Sequence, residues 1–356
     1  MRGRERVKVK KIKVGDRLVG EGEPTFVVAE IGVNHNGSVG MAKRLIDAAK
    51  EAGADAVKFQ AYKTDRIVTK YAEKARYQRE TDPGKSQYEM LKKLELKDDD
   101  FRQLYGYAKR RNITFLSSAF DDESVDLLDS LGVVAFKVPS GEATNLPLLR
   151  HIAAKRKPVI LSTGMSTLDE IGEALGVLRK KGVESIILLH CVTSYPTKVE
   201  EANLKVMTLL KRKFGFPVGF SDHTEGVFVP VSAVALGAVL IEKHFTLSKD
   251  LPGPDHRASL EPSEFKQMVM GIRVVEKALG DGVKRVTADE EEIKEAARKS
   301  IVARVRIPRG TLIREDMLDF KRPGTGLRPK DLSKVVGRRT KTAIEADELI
   351  NLEKLW

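Results

Sequence analysis

The sequence is short of several things. It has a single cysteine, Cys191, so no disulfide can form within one chain, and the usage suits a reducing compartment. Aromatic residues are only 6% of it, and no nucleic-acid motif stands among its basic residues, so no nucleic-acid partner is expected. It has no long apolar run. The longest, from Val227 to Ile241, falls short of the ~20 residues of a membrane span and holds Pro230 and Gly237. That run reads as a buried helix turning into a buried strand. The first residues are charged and lack the apolar core of a signal peptide, so a soluble, cytoplasmic protein with no membrane partner is expected. No GxGxxG follows the first predicted strand, which removes the main support for a dinucleotide fold. No HxH ends that strand either. His35 stands alone there, against a multi-histidine zinc hydrolase.

What is present is a long, charged chain. Its 356 residues hold 63 Lys+Arg against 51 Asp+Glu, a net charge of +12 that favours anionic partners. The charges are spread along the chain rather than blocked. The opening MRGRERVKVKKIK alternates like a strand with one solvated face. Then eight β-rich runs follow: TFVVAEI, DAVKFQ, ITFLSS, VVAFKVPS, PVILST, SIILLHC, PVGFS and AVLIEKHF. Amphipathic helical stretches such as VGMAKRLIDAAKEAGA separate them, often closing near a glycine (Gly53, Gly132, Gly182). Eight strands alternating with helices predict a closed (β/α)8 barrel, with an open doubly wound sheet as the alternative. The spacing predicts a basic β extension over 1–24, the barrel over 25–280, a linker over 281–298 and a small β-rich module over 299–356. A charged stretch from Tyr62 to Lys97 interrupts the repeat, as a lid or as a solvated excursion.

In such a barrel the chemistry sits at the C-terminal ends of the strands. Read in order, those ends carry Glu30; Lys58 and Gln60; Ser117 and Ser118; Lys137, Ser140 and Glu142; and Ser162 and Thr163. His190 follows, then Ser221, Asp222 and His223, then Glu242 and His244. Polar groups recurring at one end of otherwise apolar strands point to a site, because burying them idle is costly. His223 and His244 at the ends of successive strands suit a divalent metal such as Mn²⁺, Zn²⁺ or Co²⁺ with coordination positions left open. Asp222 and Glu242 beside them are placed to orient the rings. Lysines, hydroxyls and helix starts together suit a phosphate or carboxylate. Cys191 reads as a packed strand residue, with nothing to mark its thiol as activated.

Ordered motifs then carry a resemblance. VVAEIGVNHNGS, AVKFQAYK, FLSSAFDDESVDLL, FKVPSGEATNLPLL, PVILSTGMST, LLHCVTSYPT, VGFSDHTEG, EKHFTL and GPDHRASLEP resemble the N-acetylneuraminate (sialic acid) synthase family, which includes legionaminate and pseudaminate synthases. The tail, with IPRGTLIREDMLDFKRPGTG, is similar to that family's antifreeze-like (SAF) domain. The resemblance implies a TIM barrel that condenses phosphoenolpyruvate with an open-chain N-acetyl hexose, releasing phosphate and a nine-carbon 2-keto acid. It implies Mn²⁺, or a similar ion such as Mg²⁺ or Co²⁺, on His223 and His244. By the same resemblance Lys58, Lys137, Ser118, Ser140, Ser162 and Ser221 hold phosphate and carboxylate. Glu30 manages protons, and Gln60, Glu142, Tyr195 and Asp255 contact substrate. Arg322 is the arginine that a partner chain donates in a homodimer whose SAF domains are swapped.

The expected acceptor is N-acetylmannosamine, making the chain an N-acetylneuraminate synthase, with its 6-phosphate or a 2,4-diacetamido-trideoxy hexose as alternatives. Thr193, Ser194, Tyr195 and Pro196 stand where sialic-acid-making relatives often carry Asn-x-Tyr-Pro, which leaves the sugar open. Three further readings compete. One is a carbohydrate- or ice-binding protein with a degenerate barrel, weakened by the ionisable strand ends it would have lost. Another is a metal-dependent hydrolase, weakened by the missing HxH. The third is an aldolase using Lys58 or Lys137 as a Schiff base.

Overall fold

The computed structural model describes residues 9–75, 78–79 and 86–356. Residues 1–8 of the basic opening, and part of the Tyr62–Lys97 stretch, lie outside the described residues. The eight predicted strands all form: β3 (Phe26–Gly32), β4 (Ala56–Ala61), β5 (Thr114–Ala119), β6 (Phe136–Val138), β7 (Val159–Ser162), β8 (Ile186–Cys191), β9 (Val218–Asp222) and β10 (Leu240–His244). They pair in parallel in chain order, and β10 returns to β3 to close the barrel. Near-continuous apolar runs are what such strands require, since both of their faces are covered.

The helices follow from periodicity and caps. The helix Val39–Glu51 buries Ala42, Leu45, Ile46 and Ala49, one face at helical spacing, and Ser38 caps it by accepting from the Met41 amide. Thr167 and Glu170 form a reciprocal capping box at Leu168–Lys180. The helix Phe228–Ala235 departs from expectation. It buries Pro230, Ala233 and Val234, yet Phe228 is 82% exposed, so the apolar run is only half buried. Pro230 is tolerated there because it falls in the first turn, where its missing N–H breaks no helical bond. Among the described residues, no helix is long and apolar enough to cross a membrane.

Strand parity divides the barrel. Outward residues such as Val27, Ala29, Val57, Phe59, Phe136 and Ile241 meet the helices in one core. Inward residues Phe26, Val28, Leu116, Ile160, Ile187 and Leu240 fill the lower interior in another. The antiparallel pair β1 (Ile12–Val14) and β2 (Arg17–Val19) adds Ile12, Val14 and Val19 to that inner core.

The boundary between two compact units falls at Gly280/Asp281. The second unit opens with the helix Ala288–Ala297, capped by Thr287. The antiparallel pair β11 (Ser300–Ala303) and β12 (Leu318–Lys321) follows. Its own core includes Ile301, Ile307, Ile313, Leu318, Val335, Ile344 and Leu355.

Candidate active site

Above the apolar layers, the same inward parity brings polar side chains together. Going up β3 from Phe26 and Val28, the next inward residue is Glu30. Up β10 from Leu240 come Glu242 and His244. Lys58, Gln60, Ser118, Lys137, Ser162, Cys191 and Ser221 occupy the matching level of the other strands, and all of them line one cavity of about 280 Å³. Ser140, Tyr195, His223 and Asp255 join its wall from the loops. Outward parity removes other strand-end candidates. His190 faces the helical layer, its ring nitrogen 2.8 Å from Ala202 O, and Asp222 pairs with Lys243 at 2.6 Å behind the strands.

The centre of the site is a chain of alternating charge. Lys58 Nζ lies 2.7 Å from Glu30 and 3.7 Å from Glu242, and Lys137 Nζ lies 3.6 Å from the same Glu242 oxygen. Hydroxyls and an amide complete it. Ser118 is 3.2 Å from Lys58, Ser162 is 2.8 Å from Lys137, Ser221 donates to Glu242 at 3.0 Å, and Gln60 donates to Glu30 at 2.8 Å. Backbone shape allows this last contact. The β3–β4 register shifts between Glu30 and Gly32, and Gly32 has φ +53°. A Cβ there would come within 2.9 Å of Glu30 Oε1 and 3.0 Å of Gln60 Nε2.

Burial shifts these groups in different directions. Burial, and then the charge of Glu242, raise the Glu30 carboxyl above the usual range, against the pull of Lys58. Burial works against the Lys58 ammonium, but Glu242 and Glu30 outweigh it and raise its pKa. Lys137 is lowered, by burial above all. Burial alone would raise Glu242, yet Lys137 and Lys58 hold it low. Asp255 is pushed up to about 6 by burial and by the charge of Glu30. The interior thus contains one lysine pushed up and one pushed down, and one carboxyl held low and two pushed up.

The two histidines meet in space, their ring centroids 5.3 Å apart, with the Tyr195 ring 4.2 Å from His223 and 5.6 Å from His244. Neither expected carboxylate orients them. Glu242 is occupied by Ser221 and the lysines, and Asp222 by Lys243. His223 instead directs Nδ1 at Val192 O, 2.7 Å away, with Cys191 Sγ at 3.8 Å. The carboxylate beside His244 is Asp255, at 3.8 Å. Burial and then the charge of His223 depress His244 well below its usual pKa, so its ring is neutral, and its buried Nδ1 has no hydrogen-bond partner. Among the described residues, no three His, Cys, Asp or Glu side chains gather to hold a metal. A neutral imidazole with a vacant nitrogen beside a second imidazole nevertheless fits a two-histidine site with open positions.

One expected residue stands outside the cavity wall. Glu142 is half-buried, takes a hydrogen bond from Asn145 at 2.7 Å and is not in the cavity wall. Arg322 belongs to the second unit, where it is exposed and donates to Ala297 O at 3.0 Å. The wall also holds residues that had no expected contact with substrate. Glu242, expected at a strand end as an orienting group, sits two residues before His244 and therefore on the same face. Met90, Leu91 and Leu94 come from the helix Gln87–Leu94, inside the charged excursion, and form a small apolar cluster with Val33, Tyr62 and Phe120. Cys191 is both packed and at the cavity wall. Burial raises its thiol pKa, but His223 first, with Ser140 and Lys137, offsets this and lowers it.

Comparison with known proteins agrees with this architecture. The NeuB family model matches residues 45–284 and the SAF domain model residues 298–355. The N,N'-diacetyllegionaminic acid synthase of Legionella pneumophila is 47% identical, over 90% of this chain and 92% of that protein. The human N-acetylneuraminate-9-phosphate synthase is 38% identical, over 94% and 93%. A crystal structure of the N-acetylneuraminic acid synthetase of Leptospira borgpetersenii superposes with a TM-score of 0.72 at 35% identity, covering 80% of this chain and 95% of that one. The chain belongs to the NeuB family and carries a SAF domain after its barrel.

Proposed function

We propose that this chain is a phosphoenolpyruvate-dependent nonulosonate synthase. Carbon 3 of phosphoenolpyruvate attacks the aldehyde carbon of an open-chain N-acetyl amino hexose, and that aldehyde oxygen takes a proton. Water adds at carbon 2, the bond from carbon 2 to the phosphate oxygen breaks, and a nine-carbon 2-keto acid and phosphate leave. The observation that carries the reading is the Glu30–Lys58–Glu242–Lys137 chain with its serine hydroxyls. Two buried lysines and Ser118, Ser162 and Ser221 offer the fixed positive charge and donors that a phosphate and a carboxylate require. Glu30, raised by burial, is suited to pass a proton to or from the water or the sugar hydroxyl. Gln60, Tyr195 and Asp255 line the sugar side. His223 and His244 would hold a divalent ion, Mn²⁺ first, whose contribution is Lewis-acid polarisation of the acceptor aldehyde.

The acceptor we favour is a 2,4-diacetamido-trideoxy hexose, which displaces the expected N-acetylmannosamine. Val33, Met90, Leu91, Leu94 and Phe120 give one side of the cavity an apolar surface. That surface suits a sugar with a C6 methyl and a second acetamido methyl, and it would poorly accept a sugar phosphate. The higher identity to the legionaminic acid synthases of Legionella and Campylobacter jejuni, 47% and 48% against 38% for the human enzyme, supports the same choice. N-acetylmannosamine is the second reading, supported by the Leptospira sialic acid synthetase structure. In the same reading the chain works as a homodimer with swapped SAF domains, and Arg322 reaches the acceptor from the other copy.

Phosphate release from phosphoenolpyruvate with Mn²⁺ tests this, with the diacetamido hexose, N-acetylmannosamine and its 6-phosphate offered separately. Release with the diacetamido sugar, abolished by EDTA, is expected. Release with N-acetylmannosamine alone would move the acceptor to the second reading, and no release with any sugar would end the synthase reading.

A further inference from the structure

Besides His190, the chemistry above leaves two buried histidines unused. His35 and His256 are 1% and 0% exposed. Burial, the main cause for each, lowers both to a pKa of about 4, so both rings are neutral. His35 accepts from the Gly37 amide within the turn after β3, and His256 lies in a polar network between that turn and the loop after β10, adjacent because those strands pair.

The 246–259 loop is tied at its base, where the Thr246 amide donates to Leu260 O at 3.0 Å and the Leu260 amide to His244 O at 2.9 Å. Its interior is pinned from the β3 turn. Asn36 Nδ2 donates to Pro252 O at 2.8 Å, which leaves Asn36 Oδ1 facing His256 Nε2 at 3.2 Å. An amide oxygen only accepts, so the His256 proton lies on Nε2 and its Nδ1 accepts from the Thr246 hydroxyl at 2.6 Å. Asn34 Nδ2 donates to Phe245 O at 2.9 Å and to Ser259 Oγ at 2.8 Å, and Ser259 Oγ donates to Asp255 O at 2.7 Å. Gly253, at φ +146°, completes the fit: a Cβ there would stand 2.8 Å from His256 Cδ2 and 2.9 Å from Asn36 Oδ1. Asp255 is thereby fastened twice, through its own carbonyl by Ser259 and through the next ring by Asn36 and Thr246.

We infer that Asn36, Thr246 and His256 are positioning residues that set the Asp255 carboxyl for the acceptor sugar, although none of the three lines the cavity; this rests on the synthase reading above. The lysines and the strand-borne serines proposed for phosphoenolpyruvate do not hang on this loop. A disturbed network therefore weakens acceptor binding and spares phosphoenolpyruvate.

The test compares Thr246→Val, which removes the hydroxyl at constant shape, with Thr246→Ser, which keeps it. Thr246→Val is expected to raise the KM for the acceptor at least ~10-fold and leave the KM for phosphoenolpyruvate within ~2-fold, with Thr246→Ser restoring the parent value. An unchanged acceptor KM in Thr246→Val, or a rise in both KM values that Thr246→Ser does not rescue, overturns the inference. Parent phosphate release is read first, because its absence removes the synthase reading alone. In that event amide hydrogen exchange over residues 249–258 decides. Faster exchange in Thr246→Val than in Thr246→Ser upholds the hold on Asp255, and equal exchange overturns it.

Discussion

Two adjoining layers of one barrel interior are built from opposite chemistry. The lower layers are hydrocarbon: Phe26, Val28, Leu116, Ile160, Ile187 and Leu240. Two residues further along the same strands stand Glu30, Ser118, Ser162 and Glu242, with Lys58 and Lys137 from β4 and β6. Both layers are buried, so solvent does not explain the change. The lower layer gains from leaving water, roughly 25 cal/mol per Å² of apolar surface. The upper layer loses hydration and recovers it only through paired charges and hydrogen bonds. A group kept at such a cost has a use beyond stability, and the difference between the layers separates scaffold from chemistry.

Four perturbations sharpen that contrast. Lys58→Met should have the largest effect, because it removes a proposed substrate contact and leaves Glu30 and Glu242 sharing one cation. Activity should fall by ~10³-fold and stability by about 3 kcal/mol, read by phosphate release and urea unfolding. Glu30→Gln should keep the fold, with an unfolding midpoint near the parent's, and cut turnover by at least ~100-fold. Near-normal turnover there would remove the proton role. Ile187→Ala, one layer down, should show the reverse pattern: about 3 kcal/mol lost from stability, with kcat within ~2-fold of the parent. An equal loss of kcat would mean that the two layers are not separable.

The last perturbation is pH. The folded-state pKa values of His35 and His256 are about 4, below the unfolded value near 6.5. Between those limits these two histidines bind more protons in the unfolded chain than in the folded one, whereas Asp255, at about 6 when folded, does the reverse. The histidines' contribution to stability should therefore be complete above pH 6.5 and be lost as the pH falls toward 4, a net decline of a few kcal/mol that Asp255 only partly offsets. A denaturant midpoint flat across that window would contradict the neutral-histidine network.

The barrel was legible in the sequence because its strands are apolar runs of the right length, separated by helices with a clear buried face. The polar strand ends were legible for the same reason: each charge interrupts such a run. Parity was the missed signal. Ser117, Thr163, His190 and Asp222 lie one residue out of step with inward neighbours, and a period of two turns each of them away from the cavity. The pairing of Asp222 and Glu242 with the histidines was also wrong. Asp222 is adjacent to His223 and points to the opposite face of its strand, whereas Glu242 shares a face with His244 but is held by Ser221, Lys58 and Lys137 instead. Met90, Leu91 and Leu94 were hidden because they are a few apolar residues, on one short helix, within a charged stretch.

The sequence by itself determined the number of strands, their apolar lower layers and the kinds of side chain at their ends. Each is a local property, readable within a window of a few residues. Only the tertiary structure decided that Glu242 lies between Lys58 and Lys137, and that Nδ1 is unpartnered on His244 but bonded to Val192 O on His223. The first of these contacts joins β10 to β4 and the second joins β10 to β6, across the barrel rather than along it. Closure of eight strands sets those distances, and the dry interior then turns proximity into shifted protons.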